Sequence, residues 1–343
     1  MMIHKTMRAG FVKAPYQIEV REVETPTVKE DWALIKVEAC GLCGTDMHFA
    51  RTEARAWQSF GHEVAGIVAA AGPGVHNVKE GDRVVLESGS FDPFSDLSRD
   101  GRVDLDNSAP NIFVHEKTGT MGFADYVLAH KQSLVSYDGL SPEVACLSEP
   151  LGVAIDMVYA ADIRLGHEVM LVGLGAIGLM AIPVARMHGA ARLYAVNRSG
   201  GRRAEVALQA GAHEVLLTGD TPFDALQFRK GGVDRALVTA DPKLLPAVMQ
   251  HMRYGGVISF IGINWPDGDI TFNANDFHFK KLQLRASHAA PALYFPTALQ
   301  LLRDRHVDGE LFISHVLPLD QLGEAVRLMR DERDTVLKVV VKP

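Results

Sequence analysis

Val169-Met-Leu-Val-Gly173-Leu-Gly175-Ala-Ile-Gly178 is an apolar run of strand length that ends in three spaced glycines and continues into a helix-length segment reaching Met187. A strand that enters a glycine-rich turn and opens a helix is the arrangement that cradles the pyrophosphate of a dinucleotide. In that reading Gly173 makes the tight turn, Gly175 lets the backbone approach phosphate, and Gly178 lets helix and strand pack closely. Ala176, Ile177 and Gly178 then begin the helix, where N–H donors lack helical acceptors and the dipole favours an anion. An ordinary strand–helix turn can carry the same glycines, so the surroundings of the turn decide.

Those surroundings are strands alternating with helix-length amphipathic segments, the pattern of βαβ units and a parallel sheet. Strands are expected at Glu168–Val172, Arg192–Val196, Glu214–Leu217, Asp234–Val238, Val257–Ile261 and Gln283–Ala286, which together complete a doubly wound sheet. Discrimination between the nicotinamide dinucleotides falls at the end of the second strand, where an acid would bind ribose hydroxyls and repel a phosphate. That position reads Asn197-Arg198-Ser199-Gly200-Gly201-Arg202-Arg203 and holds no acid. Guanidinium groups match a ribose 2′-phosphate in geometry and charge, so NADP is favoured over NAD, with Arg198 and Arg203 on the phosphate. Asn197 and Ser199 are the short polar side chains that can serve ribose hydroxyls. Gly262, after the fifth strand, and Ser287, after the sixth, stand at strand ends where such sheets bind ligands, and His288 follows them.

Upstream the character changes. Up to about residue 140 short β-rich runs alternate with turn residues, at Trp32–Ala39, Val64–Ala70, Asp82–Glu87 and Ala124–Leu128. Ser90–Gly119 is a long polar stretch with no assigned role. After His288 two helices are expected, Pro291–Arg303 and Gln321–Met329, and a β-prone end, Thr335–Val341, which most simply return to the first domain. The expected organisation is a β-rich domain of residues 1–150 plus 289–343 and a dinucleotide-binding domain of residues 151–288. A chain of 343 residues is longer than one core usually organises.

The β-rich part carries the second constellation, Cys40-Gly41-Leu42-Cys43-Gly44-Thr45-Asp46-Met47-His48, followed by Gly61-His62-Glu63. Thiolate, imidazole and carboxylate are zinc ligand types, and a catalytic zinc takes three protein ligands and keeps one position open. With Gly81-Asp82-Arg83-Val84 and the glycine turn beyond, this order resembles the zinc-dependent medium-chain dehydrogenases, across essentially the whole chain. Ser148-Glu149-Pro150-Leu151 is similar to the stretch where the polyol and threonine dehydrogenase branch has a glutamate in place of a third cysteine.

The resemblance implies a GroES-like catalytic domain beside a Rossmann-type α/β domain. It makes Cys43 and His62 zinc ligands and Glu149 the next candidate, while Glu63 either ligates or holds the metal's water. By position, Asp46 takes the far N–H of His62, Thr45 and His48 form a proton relay, and Lys338 lies near where a cation meets the cofactor phosphates, although a surface strand lysine reads the same. The expected reaction is reversible hydride transfer between a nicotinamide cofactor and a secondary alcohol or ketone of a polyol, sugar or cyclitol, with zinc as Lewis acid. The family's second, structural zinc needs four closely spaced cysteines after Gly81-Asp82, and Ser90–Gly119 contains none, so one zinc is expected. The family also implies a homo-oligomer, a dimer or tetramer.

Composition narrows the classes. Hydrophobic residues make 47% and charged residues 22%, the balance of a globular enzyme. Net charge is −7 with no basic run, which disfavours nucleic acid. No stretch approaches the roughly 20 apolar residues of a membrane span, and Met1–Gly10 lacks a signal peptide's apolar block, so a cytoplasmic protein is expected. Three cysteines, Cys40, Cys43 and Cys146, are too few for a disulfide framework; Cys40 reads as a neighbour of the ligand and Cys146 as a small hydrophobe. Arg51, Arg55, Trp57 and Phe60 between the two motifs line a pocket or simply pack. The competing readings are an amino-alcohol dehydrogenase of threonine or aminocyclitol type, a zinc-free quinone or enoyl reductase, and a cofactor-binding protein without catalysis.

Overall fold

A computed structural model describes residues 3–89, 91–106, 119–264, 267–288 and 293–343. The chain divides into two compact units, one of Met1–Gly152, Ala290–Arg305 and Gly309–Pro343, the other of Val153–Ala289 and His306–Asp308.

In the first unit the strands are β1 (Thr6–Lys13), β2 (Gln17–Glu24), β3 (Trp32–Gly41), β4 (Gln58–Ser59), β5 (Glu63–Ala71), β6 (Arg83–Leu86), β7 (Tyr126–His130) and β8 (Leu134–Ser136). In the second they are β9 (Glu168–Val172), β10 (Arg192–Asn197), β11 (Glu214–Leu217), β12 (Val233–Val238), β13 (Met252–Phe260) and β14 (Gln283–Ala286). The chain then returns to the first unit with β15 (Ile313–Pro318) and β16 (Lys338–Lys342).

The second unit is a parallel sheet in the order β11-β10-β9-β12-β13-β14. Every residue of β9 is buried, as expected of a central parallel strand covered on both faces. The glycine turn works through space. Gly173 has φ +100, and a Cβ there would stand 2.7 Å from Thr239 Oγ1, whose hydroxyl donates to the Gly173 carbonyl at 2.8 Å. A Cβ on Gly178 would stand 2.1 Å from the Gly173 carbonyl oxygen, so only glycine lets helix Ala176–Met187 start this close to the strand. β13 begins earlier than expected, at Met252, because its first residues run through Gly255 (φ +75) and exposed Tyr254, which read as a turn.

In the first unit a sheet of order β15-β16-β3-β5-β6-β8, with β7 on β3, stands beside a three-stranded sheet β2-β1-β4. Its core gathers Ile35, Val37, Leu42, Phe60, Val64, Leu86, Phe123 and Val339. The hairpin β1–β2 and strand β15 have no clear signature in the sequence. β2 exposes alternate charged residues of QIEVREVE and β15 is only half buried, so neither forms the apolar run that marks a strand. The helix expected from Pro291 is described from Phe295 to Arg303, its first positions lying outside the described residues; the next spans Leu322–Asp331. In the long polar stretch, helix Asp96–Arg99 is capped by Ser95, and the buried carboxylate of Asp106 accepts the Ser95 and Ser98 hydroxyls.

Glu87, just past β6, is buried, and its Oε1 has no hydrogen-bond partner among the described residues. Burial pushes its carboxyl up to about 8 from 4.5. Because the folded-state value is the higher one, stability is fully present below about 4.5 and is lost as pH rises through about 8. Glu87→Gln is therefore expected to leave stability nearly unchanged at pH 5 and to raise it at pH 9 by on the order of 3 kcal/mol. Urea unfolding of both proteins at the two pH values measures this; an equal effect at pH 5 and pH 9 would refute it.

Candidate functional site

Two sites emerge, one in each unit. In the first, β3 ends at Gly41 and the chain turns through Leu42 and Cys43 into a short helix, Gly44–His48. Asp46 holds that turn: one carboxylate oxygen accepts the Cys43 N–H at 2.9 Å and the other the Gly61 N–H at 3.2 Å. The same oxygen that faces Gly61 lies 3.6 Å from Nδ1 of His62. One buried side chain thereby joins the two halves of the motif.

Gly61 has φ +93, and a Cβ there would meet the Phe123 ring at 2.6 Å and the Cys40 sulfur at 3.0 Å. Phe123 packs edge-on against Phe60 with ring centroids 4.7 Å apart. This packing sets the direction in which His62 and Glu63 leave the turn, and it assigns Phe60 to the core. Trp57 lies under the Arg21 guanidinium at 4.5 Å, and Arg51 and Arg55 are exposed.

Donor atoms of Cys43, His62 and Glu63 all lie within 4.8 Å of one another. Nε2 of His62 is 3.9 Å from a Glu149 carboxylate oxygen at the start of helix Ser148–Ala160. Thr45 Oγ1 is 3.8 Å from the Cys43 sulfur, and His48 Nε2 is 3.7 Å from Glu53 Oε1. Cys40 and Cys146 are fully buried, and burial pushes both thiols up, as for inert packing cysteines.

Lys338 is placed differently from either expectation. It is 3% exposed, and its ammonium donates to both Glu63 oxygens, at 2.5 and 2.8 Å, and to the Leu42 carbonyl at 3.2 Å. It is neither a surface lysine nor free for a cofactor phosphate. Thr335-Val-Leu-Lys338-Val-Val-Val had only a β-prone signature, and nothing local revealed that Lys338 would point inward to an acid so distant in sequence. Gly41 makes room for the pair, since a Cβ there would stand 1.9 Å from Glu63 Oε2.

The charges do not balance among these residues. Asp46, Glu63 and Glu149 are buried or nearly so, and Cys43 adds a thiol, against the single ammonium of Lys338. Burial alone would lower Lys338, but Glu63 and Cys43 reverse this and hold its ammonium above the ordinary range. Burial pushes Glu149 up to about 7, with His62 opposing the rise and Glu63 adding to it. Burial would lower His62 as well, yet Cys43 and Asp46 raise it well above its usual range. The upward shifts of His62 and Lys338 reflect the acidic groups and the sulfur beside them, that of Glu149 chiefly its burial; a soft sulfur, an imidazole and a carboxylate converging within reach fit a zinc ion.

In the second unit the glycine turn leaves the Ala176, Ile177 and Gly178 N–H groups ahead of the first helical bond, which runs from Leu179 to Gly175 at 2.9 Å. A Cβ on Gly175 would meet nothing within 4 Å, so the space over this helix end is open on its side. Beyond β10, Asn197 Nδ2 donates to the Ser199 carbonyl at 2.8 Å, and the Arg198 carbonyl accepts from Gly219 at 2.9 Å, leaving the exposed Arg198 side chain on a fixed turn. Gly262 lies against the Ala240 carbonyl, where a Cβ would come to 1.8 Å. The Ser287 hydroxyl donates to Asp156 at 2.6 Å.

The comparisons with known proteins follow this division. Residues 29–139 match the family model of the alcohol dehydrogenase GroES-like domain, and residues 176–304 that of the zinc-binding dehydrogenases. The chain is 32% identical over 344 residues to L-threonine 3-dehydrogenase of Pyrococcus abyssi, with 96% of this chain and 97% of the relative covered. It is 27% identical over 345 residues to L-galactonate-5-dehydrogenase of Escherichia coli, with 96% of each covered. A solved zinc-binding dehydrogenase from Sinorhizobium meliloti 1021, bound to NADP, superposes with a TM-score of 0.88 at 26% identity, covering 99% of this chain and 100% of that one. With the two-part fold, the Cys43–His62–Glu63 cluster and these matches together, the chain belongs to the zinc-dependent medium-chain alcohol dehydrogenases.

Proposed function

We propose that this enzyme reversibly oxidises the secondary alcohol of a polyol, sugar or cyclitol to the ketone, with NADP and one catalytic zinc. The observation that carries the reading is the convergence of a thiol, an imidazole and a carboxylate, those of Cys43, His62 and Glu63, with donor atoms all within 4.8 Å of one another. L-galactonate-5-dehydrogenase among the relatives supports the substrate class, and the NADP-bound structural relative supports the cofactor. A reducing, cytoplasmic setting and a dimeric or tetrameric assembly belong to the same reading.

Cys43, His62 and Glu63 would hold the zinc, with Glu149 facing the same imidazole. Zinc supplies Lewis-acid polarisation of the alcohol oxygen, and the nicotinamide supplies the hydride acceptor. Asp46 orients His62, and Lys338 offsets part of the Glu63 charge so that the cluster remains assembled. The Thr45 hydroxyl, beside the Cys43 sulfur, takes up the alcohol proton and passes it toward His48. In the second unit Gly173, Gly175, Ala176, Ile177 and Gly178 form the pyrophosphate cradle. Arg198 and Arg203 bind the 2′-phosphate, Asn197 and Ser199 shape the ribose side, and Gly262 and Ser287 wall the nicotinamide.

A second reading, oxidation of an amino alcohol of threonine type, is favoured by the 32% identity to L-threonine 3-dehydrogenase. It predicts NAD and an acidic subsite for the amine, and the arginines after β10 with no acid beside them point the other way.

About one tightly bound zinc per chain is expected by elemental analysis, falling to near none in Cys43→Ala and His62→Ala, and falling further in Glu63→Gln than in Glu149→Gln. Retention of zinc by Cys43→Ala would remove the metal assignment. Arg198→Ala is expected to raise KM for NADP by about ten- to hundred-fold and leave KM for NAD nearly unchanged, since a charge-assisted phosphate contact contributes about 1.5–3 kcal/mol. Initial rates with each cofactor on sorbitol, galactonate and L-threonine test this alongside the substrate. Turnover confined to L-threonine with NAD would establish the second reading.

A further inference from the structure

The helix that carries Thr45 and His48 does not end as an ordinary helix. It passes into a π-turn, Phe49–Glu53, closed by the Ala54 N–H donating to the Phe49 carbonyl at 3.0 Å. Such turns are rare and cluster at functional sites. In an α-helix residues four apart share a face, whereas in this wider turn residues five apart do. The widening therefore places Glu53 beside His48, with Oε1 3.7 Å from Nε2.

The turn is held from outside. Ala50 and Ala54 are fully buried, and their carbonyls accept the Tyr16 and Ala14 N–H groups at 2.6 and 2.7 Å, bonds from the loop of the β1–β2 hairpin. Thr52 Oγ1 adds a bond to the His48 carbonyl at 3.3 Å. His48 and Glu53 are thus brought together by backbone that the neighbouring hairpin fixes. The His48 side chain is 13% exposed and that of Glu53 47%, so the pair runs from the interior to water.

We propose that Glu53 is a positioning residue for His48, holding the imidazole of the proton relay and marking the point where that relay opens to solvent. This rests on the reading of His48 as a relay. During oxidation the hydride leaves the alcohol carbon for the nicotinamide, and the hydroxyl proton passes by way of Thr45 to His48. His48 releases a proton to water beside Glu53, so the imidazole ends turnover as it began. The 3.7 Å separation lies within ion-pair range, and a half-exposed carboxylate is free to shorten it when the ring carries charge.

The test is a double-mutant cycle on the zinc-loaded enzyme with saturating cofactor, using whichever of sorbitol, galactonate and L-threonine is turned over fastest. Glu53→Gln is expected to lower kcat about three-fold with KM unchanged, as suits an exposed pair, and Glu53→Asp to restore most of the loss. In a His48→Gln background Glu53→Gln should add nothing. A readout independent of turnover is the ring signal of His48 in 15N-histidine-labelled protein, assigned by its disappearance in His48→Gln and expected to shift in Glu53→Gln. If His48→Gln itself leaves kcat intact, the relay reading falls and this inference falls with it. If His48→Gln lowers kcat but Glu53→Gln does not, or lowers it equally in both backgrounds, or leaves the ring signal in place, only the role of Glu53 is overturned.

Discussion

The first unit depends on one buried ion pair. Lys338 and Glu63 are 3% and 0% exposed at their side chains, and the ammonium touches both carboxylate oxygens and the Leu42 carbonyl. Removing either charge from water is costly, and only close geometry with further hydrogen bonds repays the loss. The third bond to Leu42 supplies this, in the turn that immediately precedes Cys43. The pair thus ties the last strand of the unit to the segment that presents the sulfur and to the start of β5, one residue beyond the imidazole. A substitution of either partner by an apolar residue would leave a lone buried charge at the centre of the donor cluster, so the ion pair and the metal-binding set stand or fall together.

Asp46 does by hydrogen bonds what Lys338 does by charge. Its two oxygens hold the N–H groups of Cys43 and Gly61 and face His62, so segments separated by the π-turn and β4 converge on one carboxylate. Glycine supplies the space: Gly41 admits the Glu63 carboxylate, and Gly61 takes a positive φ where Phe123 and Cys40 forbid a side chain. The site is rigid because its supports are buried, and its reactive side, with Thr45 exposed, is left open.

Much of this was legible in the sequence, for physical reasons. The central strand Glu168–Val172 is a fully buried apolar run and was readable to the residue, and the half-exposed edge strands Glu214–Leu217 and Gln283–Ala286 were readable from their place in the alternation of strands and helices. Ligand-bearing turns combine residue types that seldom coincide by chance, which exposed Cys43, His62 and Glu63. What escaped was whatever depends on distant partners. The β1–β2 hairpin lies half in water and lacks an apolar signature. Lys338 is an unremarkable lysine until β16 is placed against β3, and the π-turn at Phe49–Glu53 is set by bonds from a hairpin loop that local propensity does not foresee.

The position of β16 has a consequence for biosynthesis. The partners Lys338 and Glu63 are 275 residues apart, and the whole parallel sheet of the second unit lies between them. A polypeptide emerging from the ribosome completes that sheet first, while Cys43, His62 and Glu63 have been outside for most of translation without the cation that balances them. Domains generally fold as units during synthesis, but here the earlier unit waits for the later one, and closing so long a loop slows its assembly. The donor cluster of the first unit therefore cannot gain its balancing ammonium until Lys338 has been made, after every strand of the parallel sheet.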